Sequence, residues 1–351
     1  MNRFLRRQIL ANMSLGGMMA FLQRTASAQQ NQHEEARPMT FHYGPDNPSE
    51  TYVKHAYDEQ TIDLGEVTMN YVAAGSASSP ALLLIPGQTE SWWGYEKAIG
   101  LLKDRFHVHA VDLRGQGRST RTPGRYTLDN MGNDLVRFIA LVIRRPTVVS
   151  GLSSGGVLSA WMSAYAMPGT VRGCLYEDPP LFSSEVNTSF GQSIRQGAAG
   201  PMFALWAKYL GDQWSIGDWK GMQEAAAREL HVRMPPPGTD EPPQNLKEYD
   251  PEWGRSFWTG MWAASCDHAQ MLSHVKVPVL FTHHQRRIDE KTGFLIGAIS
   301  DLQASRVREI IQAAGQPFEY KSFPTMGHPM HQIDPALFAN TLTAWAETLK
   351  A

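Results

Sequence analysis

The chain has 351 residues, with 32 Lys and Arg against 34 Asp and Glu and a net charge of −2. Hydrophobic residues make up 42% and charged residues 19%, enough apolar material for one large globular domain carrying an insertion. This balance shows no basic stripe and so excludes a nucleic-acid partner, while two scattered cysteines, Cys174 and Cys266, make neither a disulfide framework nor a zinc pattern.

Residues 1–28 read as an export signal. Arg3, Arg6 and Arg7 give a positive start, Ile9 to Leu22 is largely apolar, and Ala26-Ser27-Ala28 offers a cleavage site. The run Arg6-Arg7-Gln8-Ile9-Leu10 is similar to a twin-arginine signal, so a periplasmic or secreted protein is expected. The apolar run is short for a bilayer span, and no stable membrane association is expected. Residues 29–58 are polar and read as a lead-in. Thr61 to Ala74 reads as a hairpin turning near Gly65, and Ala81 to Ile85 as a strand buried on both faces. Strands follow at His107–Asp112 and Thr147–Ser150, with an amphipathic helix over Leu128–Ile143 between them. This alternation predicts an α/β fold with a doubly wound, mostly parallel sheet. From Phe182 to about His274 the pattern is helical and rich in tryptophan, broken by Pro235-Pro236-Pro237-Gly238. A strand returns at Val277–Thr282, then a helix over Asp301–Ala314, a strand over Phe318–Ser322 and a last helix over Pro335–Leu349. The expected organisation is a core domain of 59–181 and 275–351 with a helical cap, 182–274, inserted.

The chemistry centres on Gly151-Leu152-Ser153-Ser154-Gly155-Gly156, between a β run and the helical pattern Val157–Ala166. A serine inside a tight strand-to-helix turn with small neighbours resembles the nucleophile elbow of the α/β-hydrolase fold. Ser153 is the expected nucleophile, and the Ser154 N–H one half of an oxyanion hole. Asp112-Leu113-Arg114-Gly115-Gln116-Gly117-Arg118-Ser119 resembles a D-x-R-G-x-G-x-S loop common in that superfamily, where Arg114 is expected to brace the loop. Ile85-Pro86-Gly87-Gln88 is similar to the His-Gly-X segment of the same fold, with Pro86 in place of His, and makes the Gln88 N–H the second donor. The general base is expected between the last strand and the last helix, which singles out His328, with His331, His283 and His284 as rivals. For the acid, the turn after the strand at 277–282 carries Asp289, two residues too late. Glu177 and Asp178 follow the preceding strand. Glu177, 24 residues beyond Ser153, is preferred, with Asp178 and Asp289 as alternatives. Aromatic density in the cap, with Trp206, Trp214, Trp219, Trp258, Trp262, Phe203 and Phe257, suits a bulky, flat, apolar ligand, although small helical caps also need aromatic cores.

Longer segments narrow the resemblance. Ser91-Trp92-Trp93, Asn133–Ala140, Gly211–Trp219 and Asn245–Arg255 resemble bacterial zearalenone lactonases, and the likeness runs through the cap. It implies hydrolysis of the macrocyclic ester of a resorcylic acid lactone. It also implies a triad of Ser153, Glu177 and His328 and oxyanion donors at Gln88 and Ser154. Trp92, Trp214, Trp219 and Phe257 are the candidate substrate-binding residues. The N-terminal leader departs from that pattern and leaves the native substrate open. A general carboxylesterase is the main alternative. Epoxide hydrolases and haloalkane dehalogenases share the fold but use an aspartate where this chain has Ser153, and a catalytically inactive binding module would be expected to have lost a triad member. No metal and no organic cofactor is implied, since this chemistry needs only nucleophile, base and oxyanion donors. The expected partner is a small apolar lactone or ester. Oligomeric state has no sequence signal.

Overall fold

The computed structural model describes residues 53–349 apart from 184, 186–191, 196, 198, 231–239 and 292. The export-signal segment, residues 29–52 and the Pro235–Gly238 stretch lie outside the described residues. An antiparallel hairpin opens the domain: β1 (Glu59–Asp63) and β2 (Thr68–Ala74), turning through Gly65 at φ 95°, a value glycine adopts freely. Then come β3 (Ala81–Ile85), helix α1 (Glu96–Leu102), β4 (His107–Val111) and helix α2 (Leu128–Phe138). Thr127 caps α2 by accepting the Asn130 N–H. The expected single helix to Ile143 instead passes into a π turn over Ile139–Ile143, which Arg144 ends at φ 60°.

β5 (Thr147–Leu152), α3 (Ser154–Tyr165) and β6 (Val171–Glu177) complete the first half of the core. The chain then leaves the sheet through α4 (Ala199–Tyr209), α5 (Trp219–Glu229), α6 (Gln244–Lys247), α7 (Pro251–Thr259) and α8 (His268–Ser273). It returns in β7 (Val279–His283), a short hairpin of β8 (Arg287–Ile288) and β9 (Leu295–Ile296), α9 (Asp301–Ala313), β10 (Phe318–Ser322), α10 (Met330–Ile333) and α11 (Pro335–Ala346). The eight-stranded sheet runs β1-β2-β4-β3-β5-β6-β7-β10, antiparallel where β2 meets β1 and β4 and parallel elsewhere.

The apolar run of β3 reflects burial on both faces. Ala81, Leu83 and Ile85 pack into one core, and Leu82 and Leu84 into the other. The aromatic residues of the cap are continuous with the first of these cores. Between α2 and the sheet, Arg114 is buried and holds Asp134 in a two-pronged pair, Nε–Oδ2 2.7 Å and Nη2–Oδ1 2.9 Å. This is the bracing expected of the D-x-R-G loop. Cys174 and Cys266 are both buried and free.

Candidate active site

The carboxyl ends of the parallel strands converge where β5 turns into α3. Ser153 stands at that corner with φ 54° and ψ −120°, a left-handed conformation that a side chain rarely adopts. Its neighbours are small for a steric reason. A Cβ on Gly155 would lie 2.4 Å from the Ile85 carbonyl oxygen and 2.6 Å from that of Pro86, and one on Gly151 would lie 2.1 Å from the Gly155 oxygen. The Ser153 N–H donates to the Glu177 carbonyl at 2.8 Å, so the elbow is fastened to the end of β6. Ser153 is 4% exposed and begins a 12-residue helix whose first N–H groups have no intrahelical acceptor.

Gly87 packs directly on this corner, its Cβ direction pointing 3.3 Å from the Ser153 Cβ. Next to it Thr89 is left-handed at φ 64°, a strained value for a β-branched residue. The turn is pinned on several sides. Gln88 Nε2 donates to the Tyr249 hydroxyl, Asn245 Nδ2 donates to the Thr89 carbonyl at 3.0 Å, and Gln116 Nε2 donates to the Gly87 carbonyl at 2.8 Å. Glu248 accepts from Ser91 Oγ and from Trp93 Nε1. Gln88 and Ser154, the two expected oxyanion donors, thus lie on the two turns that meet at Ser153.

His328 lies in the loop between β10 and α10, as expected, and is buried. Its Nδ1 donates to Asp178 Oδ2 at 2.6 Å, and its Nε2 is buried without a hydrogen-bond partner. The preference for Glu177 as the acid is therefore corrected: the residue that meets His328 is Asp178. Glu177, the last residue of β6, is directed instead to His331, whose backbone N–H and Nδ1 both approach its carboxylate at 3.2 Å. Asp178 follows at φ 43°, out of the pleat, and also accepts the His284 N–H at 3.1 Å. Burial alone would raise the Asp178 carboxyl, but the His284 and His328 imidazoles outweigh it and hold the pKa down to about 2. Asp289 belongs to the β8–β9 hairpin, where its N–H meets the Phe294 carbonyl, and it does not bond His328.

The rival histidines have other partners. His283 bonds the Tyr320 hydroxyl and the Ile299 carbonyl, both at 2.8 Å. His284 Nδ1 bonds the His328 carbonyl at 2.7 Å and so helps fix the His328 backbone.

The candidate substrate-binding residues divide. Trp92 is a correction: it is fully buried in the core on the other face of the sheet, with its indole N–H on Glu59 Oε1 at 2.7 Å. Trp214 donates from Nε1 to the Gly117 carbonyl at 2.8 Å and braces cap against core. Trp219 is buried within the cap. Phe257 belongs to a train of rings that begins beside the oxyanion turn: Tyr249, Trp206, Phe203, Phe257 and Trp262, with successive centroids 6.2, 5.1, 4.8 and 5.6 Å apart. Sequence reasoning missed Tyr249 and Glu248, although both fall in the distinctive Asn245–Arg255 segment.

Comparison with known proteins agrees with this architecture. Residues 82–341 match the model of the Alpha/beta hydrolase family, which is more than half of the chain. Among curated proteins, 3-oxoadipate enol-lactonase 2 of Acinetobacter baylyi is 28% identical over 109 residues, 30% of this chain and 40% of the relative. Epoxide hydrolase 4 of Mus musculus is 32% identical over 159 residues, 44% of each chain. The chain thus spans less than half the length of the curated relatives it matches. Among solved structures, E-2-(acetamidomethylene)succinate hydrolase superposes with a TM-score of 0.59 at 19% identity, covering 83% of this chain and all of the other, a likeness of fold. The chain belongs to the alpha/beta hydrolase family.

Proposed function

We propose that this protein is a serine hydrolase that opens the macrocyclic ester of zearalenone-type resorcylic acid lactones. The observation that carries the hydrolytic reading is the buried His328–Asp178 bond of 2.6 Å with His328 Nε2 left unbonded, Asp178 following the residue whose carbonyl accepts the N–H of the strained Ser153. Asp178 holds the imidazole with its Nδ1 protonated and its Nε2 as proton acceptor. Ser153 Oγ attacks the lactone carbonyl, and its proton passes to His328 Nε2. The oxyanion is received by the N–H groups of Gln88 and Ser154. Removing one such donor typically costs about 3–4 kcal/mol of transition-state stabilisation. Collapse of the tetrahedral intermediate breaks the ring C–O bond, and His328 returns its proton to the alkoxide. The opened chain remains as an acyl group on Ser153. Water, deprotonated by His328, then releases a hydroxy acid.

The macrolactone part of the reading is supported by the residue likeness through the cap and by an enol-lactonase among the matched relatives. The test is product mass after incubation with zearalenone, beside Ser153→Ala. The expected product is heavier by one water, or is that acid after loss of carbon dioxide, and is absent with the mutant. Ser153-dependent cleavage of simple aryl esters with zearalenone untouched would keep the esterase and discard the macrolactone.

A further inference from the structure

Behind the triad lies a second buried charge cluster that the mechanism above does not use. His331 sits on α10 between two carboxylates from different elements. On one side its Nδ1 is 3.2 Å from both oxygens of Glu177, the residue before Asp178. On the other its Nε2 faces Glu90 Oε2 at 3.7 Å. Glu90 belongs to the oxyanion turn: it accepts the Gly87 N–H at 3.3 Å, and Gln332 Nε2 donates to its other oxygen at 2.9 Å. The Tyr95 ring stacks on His331 at 3.9 Å. All three ionisable groups are shielded from water, with His331 and Glu177 fully buried. A neutral imidazole with its proton on Nδ1 would turn a lone pair toward Glu90. An imidazolium is hydrogen-bonded by Glu177 and attracted across 3.7 Å by Glu90, and a buried carboxylate deprived of its cation is strongly disfavoured.

We propose that His331 is a positioning residue that, by bridging Glu177 and Glu90, holds the strained Gly87–Thr89 turn in register with the Asp178 turn, so that the Gln88 N–H is aimed at the oxyanion. The turn needs such a restraint because Thr89 stands at φ 64° and would relax if released. The bridge ties that turn to the end of β6, the same residue pair from which Asp178 reaches His328. The two carboxylates facing His331 oppose the effect of its burial. Burial lowers its pKa, but Glu177 and Glu90 together raise it above the ordinary value, and burial raises Glu90 despite the nearby His331.

This inference rests on the serine-hydrolase reading, and its test separates the two. Wild type, Ser153→Ala, His331→Gln and Glu90→Gln are assayed on an aryl ester for kcat and KM, titrated with an aryl boronic acid as transition-state analogue, and melted. For His331→Gln the expected result is a fall in kcat of about tenfold or more, with KM within about threefold and boronate affinity falling in parallel with kcat/KM. Glu90→Gln, which keeps the shape of the turn, gives the same pattern and stands in if His331→Gln does not fold. A purely structural role would lower the melting temperature and leave both kcat per folded enzyme and boronate affinity intact, which overturns the inference. A wild type without Ser153-dependent hydrolysis overturns the serine-hydrolase reading, and the inference with it.

Discussion

At φ 43° Asp178 turns its carboxylate out of the pleat of β6 and toward the loop that carries His328. Its role differs from that of Glu177 although the two are neighbours. Asp178→Asn preserves shape but presents an amide to Nδ1 and favours the wrong tautomer, so kcat should fall by about 10⁴-fold, read as initial rates on an ester with the folded fraction checked by melting. Asp289→Asn, away from His328, should change kcat little. The Asp178 carboxyl also has a stability signature. Its folded pKa of about 2 lies below the ordinary 3.8, so its contribution is present above the ordinary value and is lost as pH falls toward 2. Acid unfolding of Asp178→Asn should lack that part of the pH dependence. Sequence shows that two carboxylates are adjacent and follow a strand, but successive strand residues point to opposite faces, and no pattern tells which one leaves the pleat. That is why the sequence points to Glu177 where the structure sets Asp178 against His328, whereas the turns that carry Ser153 and His328 are legible in the sequence.

Elements join the cap to the core at a two-sided hinge. Where the chain departs after β6, Phe182 is left-handed at φ 61° and its N–H donates to His268 Nδ1 at 2.8 Å, and His268 is the first residue of α8, on the returning side. Burial lowers the His268 pKa to about 4, with Asp267 opposing, so the ring stays neutral in the folded state and its lone pair serves the Phe182 N–H. The unfolded chain protonates near the ordinary 6.5. The linkage therefore runs toward loss of stability as pH falls from about 6.5 to about 4, at about 1.4 kcal/mol per pH unit for this one group. His268→Asn places an amide oxygen where Nδ1 was and cannot titrate. Its melting temperature, measured against pH, should fall less steeply than that of the wild type across that range. Equal slopes would show that the hinge histidine does not govern acid sensitivity. The core elements were readable because their signals are local: the apolar runs of β3 and β5, and the glycines flanking the elbow. The hinge was not, since the Phe182–His268 bond spans 86 residues.

Across the whole molecule the same distinction holds. The inserted cap could be recognised from the break in strand–helix alternation, but the way it sits on the core depends on contacts between residues far apart in sequence. Gln88 and Tyr249 are 161 residues apart, Ser91 and Glu248 157, and Arg121 and Asp250 129. Trp92 illustrates the cost of reading locally: it is a candidate substrate-binding residue by sequence, and long-range packing makes it core. Asp250 is the keystone of the cap–core contact. Its N–H donates to the Gly115 carbonyl at 2.8 Å, and its buried carboxylate accepts from Arg121 Nε at 2.8 Å, from the Tyr126 hydroxyl and from the Glu252 N–H at 3.0 Å. Arg121 is 37% exposed and can be rehydrated, so loss of the carboxylate does not strand a fully buried charge. The buried Tyr126 hydroxyl and the start of α7 lose their acceptor, and Asp250→Ala should cost about 2–3 kcal/mol in urea unfolding. Because Tyr249, the partner of Gln88, is the preceding residue, loosening here should also reach the oxyanion turn. Limited proteolysis should then cut faster within 240–260, and kcat should fall even where the protein remains folded. A stable variant with unchanged proteolysis and kcat would mean that Trp214, Asn245 and Glu248 seat the cap without Asp250.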